Sequence, residues 1–338
     1  MRIGLIGLGM VSQTYGDAIA NSDHVQLISV YARSSAARQA FINSWPQLGA
    51  VAADTVEDIA DSNVDFVILA TPPNARSEAV RILAQAGKPI LMEKPVERTL
   101  AGATALVEIC EETGVPLGIV LQHRMRPVVA ELHRVTPTLG SLRAVEVNVP
   151  WWRPQSYYDE PGRGSYARDG GGVLISQAIH TLDLMLTLTG PVSDVTAMSA
   201  TTGFHDMEAE DFVTAGLVFS NGAVGQLFAT TASFPGRGET ITLHYENGSA
   251  HLESGLLQLR FQDGRTESIG QGAKSGAGAD PMAFTSDWHR AVIEDFAEAV
   301  TQGRPPLVSG REALEVHRLI AAIEKSARSG SKEQVGNI

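Results

Sequence analysis

The chain has 338 residues, enough for about two domains with real hydrophobic cores. With 43% hydrophobic and 19% charged residues it is neither fibrous nor disordered in composition. Thirty-eight acidic against 26 basic side chains give a net charge of -12, which disfavours nucleic acid and anionic membranes as partners and leaves any anionic ligand to local groups.

The single cysteine, Cys110, forms no intramolecular disulfide or thiolate metal cluster, and among Leu106 and Val107 it reads as a core filler. The chain opens at Met1 directly in a strand, without a signal-peptide pattern, and no apolar run reaches the roughly 18 residues of a membrane span. A reducing cytoplasm is the expected location, and no metal is expected.

Arg2 to Ile6 is a short apolar run leading into Gly7-Leu8-Gly9-Met10-Val11-Ser12 and a helical pattern to about Ala20. This predicts the first strand, glycine turn and helix of a dinucleotide fold, whose free amides hold phosphates. Gly7, Gly9, Met10 and Val11 are therefore candidate cofactor contacts, and Ser12 fills the third glycine slot. The alternative is an unremarkable strand-to-helix turn.

The second strand, Gln26 to Tyr31, ends in Ala32-Arg33-Ser34-Ser35, with Arg38 a helical turn further on. NAD binders usually carry a carboxylate here for the ribose hydroxyls, and this chain has none. Arg33 and the hydroxyls of Ser34 and Ser35 would bind a 2'-phosphate, so NADP is favoured, with NAD possible. Ala32, Arg33, Ser34 and Arg38 join the cofactor set, with a solvated helix face as the alternative for Arg38.

The alternation continues with a helix from about Ser35, a strand near Gly49 to Val51 and a helix starting at Asp54 or Thr55. Asp65 to Ala70 is a nearly continuous apolar strand, as in a parallel sheet covered on both faces. Thr71-Pro72-Pro73-Asn74 closes it and starts a helix to Ala86, so Thr71, Pro72 and Asn74 lie at the carboxyl edge where such sheets bind ligands. The apolar run Pro89 to Met92 then brings Glu93-Lys94-Pro95 to the same edge. A lysine there is desolvated on one side and yields its proton more readily. Lys94 is expected to meet a substrate hydroxyl or carbonyl, and Glu93 and Lys94 to border the cofactor. A lone Glu-Lys pair is usually surface charge; its place after a nucleotide-binding pattern sets this one apart. Thr99 to Thr113 is a further helix and Leu117 to Leu121 a sixth strand.

Gly7-Leu8-Gly9, Thr71-Pro72-Pro73, Ala86-Gly87-Lys88-Pro89 with Glu93-Lys94-Pro95, and Arg124-Met125-Arg126-Pro127 together resemble the glucose-fructose oxidoreductase, inositol dehydrogenase and MocA family, over essentially the whole chain. The resemblance implies an α/β protein with an N-terminal Rossmann domain (1–122) and a C-terminal α/β domain (123–338) on a large, mostly antiparallel open sheet. It further implies last helices packing back on the first domain, a pocket between the domains, and a homodimer or homotetramer. The implied activity is NAD(P)-dependent hydride transfer between the nicotinamide and a secondary alcohol of a sugar, polyol or inositol, with Lys94 bonding the reacting oxygen and Arg124 in the substrate set. Two rivals stand: an NAD-dependent glycosidase of the same fold, and a non-catalytic regulator that senses the dinucleotide.

In the second half Ala144 to Val149 reads as a strand feeding Trp151-Trp152-Arg153-Pro154-Gln155-Ser156-Tyr157-Tyr158. Trp152, Arg153 and Tyr158 are a candidate carbohydrate lid, since aromatic faces stack on sugars while Arg and Tyr bond hydroxyls. An aromatic anchor packing the loop or a subunit interface is the equal alternative. Arg163 and Arg168 could bind an acidic or phosphorylated substrate.

Gly170-Gly171-Gly172 precedes a helical pattern that brings Ser176, His180 and Asp183 onto one face at i, i+4 and i+7. The resemblance implies that His180 is the catalytic histidine, taking the hydroxyl proton while Lys94 stabilises the alkoxide, with Ser176 and Gln177 beside the substrate. Many members carry an aspartate where this chain has Ser176. Asp183 reads as a buried helix anchor.

Val192 to Ala200, Phe212 to Phe219, Ala223 to Thr231 and Glu239 to Tyr245 read as antiparallel strands, the middle two joined by Ser220-Asn221-Gly222. The acidic loop His205, Asp206, Glu208, Glu210 and Asp211 matches no metal spacing and reads as solvated. Helices over Phe284 to Thr301 and Ser309 to Arg328 flank Pro305 and Pro306, and Ser326 to Ile338 reads as a frayed tail.

Overall fold

The computed structural model describes residues 1–273 and 276–336. The chain divides into two units, residues 1–122 with 286–314, and residues 123–285 with 315 onward. In the first, β1 (Arg2–Ile6), β2 (Gln26–Tyr31), β3 (Val51–Ala52), β4 (Phe66–Leu69), β5 (Ile90–Glu93) and β6 (Leu117–Val120) form a parallel sheet in the order β3-β2-β1-β4-β5-β6. Every residue of β4, β5 and β6 is buried, which is why these runs are continuously apolar instead of alternating. Between them come α1 (Ser12–Ala20), α2 (Ser35–Ser44), α3 (Val56–Asp61), α4 (Ser77–Gln85) and α5 (Leu100–Glu112). Ser34, Thr55 and Thr99 cap α2, α3 and α5, each accepting a backbone N–H of the first turn. The strand order reverses between β1 and β4, and the crevice at their carboxyl ends is where sheets of this topology take ligands.

The second unit carries α6 (Pro127–Leu139), β7 (Leu142–Pro150), a short α7 (Gln155–Tyr158) and α8 (Ile179–Thr189). Then follow β8 (Val192–Ala200), β9 (Phe212–Phe219), β10 (Val224–Thr230), β11 (Thr240–Tyr245), β12 (Gly248–Glu253), β13 (Leu256–Phe261) and β14 (Thr266–Gly270). After α9 (Asp287–Gln302) of the first unit, and α10 (Gly310–Ser329), whose residues are shared between the units, β15 (Glu333–Gln334) completes a nine-stranded sheet, β14-β13-β12-β11-β7-β10-β9-β8-β15. β7 and β10 run parallel and the other described pairs antiparallel. Burial alternates along β7 and β9: Val145, Val147 and Val149, and Val213, Ala215 and Leu217, face a core, with Glu146 and Val218 on the opposite face. Among the described residues, no helix is long and apolar enough to cross a membrane.

Two features differ from the sequence expectation. Strands β12 to β14 were not foreseen, because Gly248, Ser249 and Ala250 are weak strand formers; the turn pairs Asn247-Gly248 and Asp263-Gly264 were the available signal. The tail after Ser326 is not frayed: Val335 N donates to Ser193 O at 2.9 Å, and Lys332 pairs with Asp194 at 3.1 Å. Edge pairing runs through backbone groups and charges, so it leaves no apolar pattern to read. Asn337 and Ile338, which the tail expectation also covered, lie outside the described residues.

Candidate active site

In the first unit Gly7 has φ +99°, and a Cβ there would lie 2.6 Å from the Ala70 carbonyl carbon, so only glycine lets the ends of β1 and β4 approach this closely. Ser12 closes the turn, its N and Oγ donating to Gly9 O at 3.0 and 2.7 Å, while Met10 remains exposed and Val11 half-buried at the start of α1. Across the crevice Thr71 Oγ1 is buried and has no hydrogen-bond partner, and Pro72 and Asn74 are exposed. A narrow glycine turn, a helix start and an orphaned hydroxyl together fit a dinucleotide.

Beyond β2, Arg33 is exposed beside Ala32, and Ser34 Oγ accepts from Ala37 N at 3.2 Å. Arg38 differs from expectation: its guanidinium donates to Ala32 O at 2.9 Å and pairs with Asp54 at 3.0 Å. It shapes the turn, and Arg33 is left as the exposed cation there.

Glu93 is likewise engaged within the protein. It is 7% exposed and its carboxylate turns inward, accepting from Tyr15 Oη at 2.7 Å and from Lys94 N at 3.1 Å. It holds the backbone of half-buried Lys94. Arg76, 1% exposed, clamps the same turn: Nε and Nη2 donate to Thr71 O at 2.9 and 2.7 Å, and Nη1 donates to Glu93 O and Pro95 O. Burial lowers the Arg76 guanidinium to about 10 despite the nearby Glu93 charge, and raises the Tyr15 phenol well above its ordinary value. Neither Arg76 nor Tyr15 carried a motif.

His289, on α9, is 4.0 Å from Glu93 and edge-on to Tyr15. Burial pushes it down to about 4, so at neutral pH it is uncharged and the contact with Glu93 is not an ion pair. Its folded value lies below its unfolded one of about 6.5, so its contribution to stability is full above that value and falls away as pH drops toward 4. Thermal melts of His289→Phe are expected to decline less steeply with acid than the parent's between those values; equal slopes would count against this.

In the second unit the helix bearing His180 does not begin as expected. Leu174–Ala178 is a π-helical turn, which widens the spacing and breaks the simple i, i+4 relation of Ser176 to His180. The glycine run explains its anchorage: a Cβ on Gly172 would lie 1.7 Å from Glu210 O, Val173 N donates to that oxygen at 2.8 Å, and Gly172 N and Leu174 N donate to the Glu210 carboxylate, both at 3.1 Å. The acidic loop is thus solvated only at exposed Asp206 and Glu208: Glu210 caps this turn, and buried Asp211 binds His205 Nδ1 at 2.6 Å and Thr202 Oγ1 at 2.6 Å. Burial, then Glu210, pushes the Glu324 carboxyl up to about 7. Among the described residues no cluster suits a metal.

His180 is 7% exposed, and its ring lies 5.0 Å from that of His123. Arg124 forms a fork with Asp183 at 2.8 and 2.6 Å, which makes Asp183 the helix anchor and engages Arg124, expected at the substrate, within the protein. Ser176 is half-buried; Gln177 is buried with Oε1 lacking a partner, and its Nε2 lies 3.5 Å from Tyr157 Oη.

The aromatic segment resolves toward an anchor. Arg153, 2% exposed, donates to Gly278 O at 2.6 Å and stacks on Trp151 and Tyr157, and buried Tyr158 bonds Thr231 Oγ1 at 2.7 Å. The polar groups of both are engaged in the interior, as the anchor alternative has it. Trp152 is half-buried between Phe204 and Phe234 at 5.8 and 5.4 Å. Arg163 and Arg168 both bind Glu160 at 2.6 Å.

A family model described as "Oxidoreductase family, NAD-binding Rossmann fold" matches residues 1–120, and one described as "GFO/IDH/MocA C-terminal domain" matches 136–251. D-apiose dehydrogenase of Paraburkholderia graminis is 26% identical over 96% of this chain and 87% of its own. Myo-inositol dehydrogenase Hyg17 of Streptomyces leeuwenhoekii is 26% identical over 98% of each. The solved structure of the WlbA dehydrogenase from Bordetella pertussis, in complex with NADH and UDP-GlcNAcA, is 28% identical with a TM-score of 0.85, covering 100% of this chain and 98% of that one.

Proposed function

We propose a sugar or polyol dehydrogenase activity for this chain, which belongs to the GFO/IDH/MocA oxidoreductase family and carries its NAD-binding Rossmann domain. The observation that carries the reading is Lys94, at the carboxyl end of β5, with its backbone held by Glu93 and Arg76 beside the glycine turn. Bound NAD(P) supplies the hydride acceptor or donor. Lys94 stabilises the oxygen of the reacting carbon as an alkoxide, and His180 takes the hydroxyl proton in oxidation and returns it in reduction. Gln177 Oε1, buried without a partner, suits a substrate hydroxyl. The related proteins named for apiose and inositol, and the one holding a nucleotide sugar, support a sugar or polyol substrate.

For the cofactor our reading favours NADP, supported by exposed Arg33 and the absence of a carboxylate at the end of β2. Arg33→Asp is expected to weaken NADP by about tenfold to a hundredfold relative to NAD, the worth of one charge-assisted bond. Titration of both dinucleotides by calorimetry checks this; an unchanged ratio would refute it. We read the chain as a cytoplasmic homodimer or homotetramer assembled through the sheet, where Met198, Val218 and Val224 are exposed. The activity itself is tested by screening sugars, sugar acids and inositols with each cofactor for formation of reduced nicotinamide. Release of sugar from a glycoside with no net reduction would instead indicate a glycosidase.

A further inference from the structure

Two buried imidazoles lie together in the second unit, and their surroundings make them unequal. His123 and His180 have ring centroids 5.0 Å apart and planes at 33°. His123 Nε2 is 2.7 Å from Arg126 Nη2. A guanidinium only donates, so Nε2 must accept; the proton of the neutral ring then sits on Nδ1, and a second proton on Nε2 would face the arginine. Arg126 is 2% exposed and donates from the same Nη2 to Glu239 Oε1, while Glu239 Oε2 accepts from Trp151 Nε1 at 3.2 Å. The Arg126 charge is thereby balanced in place. Arg124 and Asp183, next to the two histidines in sequence or on the same helix, are paired with each other at 2.6 Å.

We propose that His123 is a positioning residue for His180: an imidazole kept neutral in the Nδ1–H form by the Arg126–Glu239 pair and packed against the His180 ring, so that a proton leaving the substrate has one destination. This rests on the reading of His180 as the proton acceptor.

Nitrogen-15 histidine spectra of the full-length protein test it, with resonances assigned through His123→Gln and His180→Gln. At neutral pH His123 is expected as the neutral Nδ1–H tautomer, unmoved from about pH 5 to about pH 9, while His180 titrates. In Arg126→Met the carboxylate of Glu239 is left to attract a proton, so His123 begins to titrate and the His180 midpoint falls by about one pH unit through like-charge repulsion. A role confined to packing would move neither midpoint. A wild-type His123 that is cationic or protonated on Nε2 overturns the proposal, and so does a folded Arg126→Met protein in which both rings behave as in the parent. Because the wild-type spectrum reads the tautomer directly, it can overturn the proposal even where Arg126→Met does not fold, and Glu239→Gln, which removes the carboxylate and keeps the arginine, then supplies the variant in which the His180 midpoint must move. No turnover enters that spectrum, so failure of the reading of His180 as the proton acceptor shows separately, as normal turnover by His180→Asn.

Discussion

Lys94→Met is expected to lower turnover by about 10²- to 10⁴-fold while changing dinucleotide affinity by less than about twofold. The thioether keeps the length and apolar stem of lysine but cannot bond or stabilise a developing alkoxide. The elements that fit the phosphates, the Gly7 turn and the start of α1, do not depend on the Lys94 ammonium. The Lys94 backbone is fixed independently by Glu93, so the substitution leaves the turn intact. Steady-state kinetics with a substrate from the panel, together with calorimetric titration of the cofactor, separate the two effects. Near-normal turnover would remove Lys94 from the chemistry, and parallel loss of cofactor binding would mean that it serves the dinucleotide instead.

Arg76→Met is expected to destabilise the protein by about 3 kcal/mol or more, because removing one partner of a buried charge network strands the other. Arg76 donates to Thr71 O, Glu93 O and Pro95 O, and it is the cation beside the buried Glu93 carboxylate. Its loss takes a donor from each of those carbonyls and removes a positive charge that acts on Glu93. Denaturant unfolding should show an early midpoint, and the folded fraction should turn over slowly because the Lys94 turn is loosened. Arg76→Lys distinguishes charge from geometry: an ammonium keeps the cation but cannot span Thr71 and Glu93 with a rigid fork, so partial recovery is expected. A midpoint equal to the parent's in Arg76→Met would contradict this account.

The parallel sheet was legible in the sequence because its strands are buried on both faces. A run as short and as continuously apolar as Phe66 to Leu69 suits a doubly covered strand better than a buried helix. The hairpin at Ser220-Asn221-Gly222 was equally readable, since Gly222 takes φ +86°, where glycine is favoured. Positions of chemistry followed from strand ends: Lys94 and Thr71 lie at the carboxyl ends of neighbouring β5 and β4. What could not be read was direction. Glu93, Arg153 and Tyr158 are polar residues in suggestive places, and only the folded chain shows that their side chains turn inward to Tyr15, Gly278 and Thr231, while Arg38 reaches across to exposed Asp54. Arg76, His123 and Glu239 were missed because long-range partners, 113 positions apart for Arg126 and Glu239, leave no local pattern. The π-helical turn before His180 escaped for a related reason, since its cause is the docking of Gly172 on Glu210, which lies in a different loop.

The central claim is that hydride passes between a sugar or polyol carbon and the nicotinamide. The most direct measurement uses a substrate from the panel carrying deuterium on the reacting carbinol carbon, with mass analysis of the cofactor after a single turnover. Reduced cofactor heavier by one deuterium, formed more slowly than with the unlabelled substrate and about 10²- to 10⁴-fold more slowly again with Lys94→Met, is the predicted result. Reduced cofactor without the label, or a protein that binds the dinucleotide yet reduces it with no sugar, sugar acid or inositol in the panel, would contradict it.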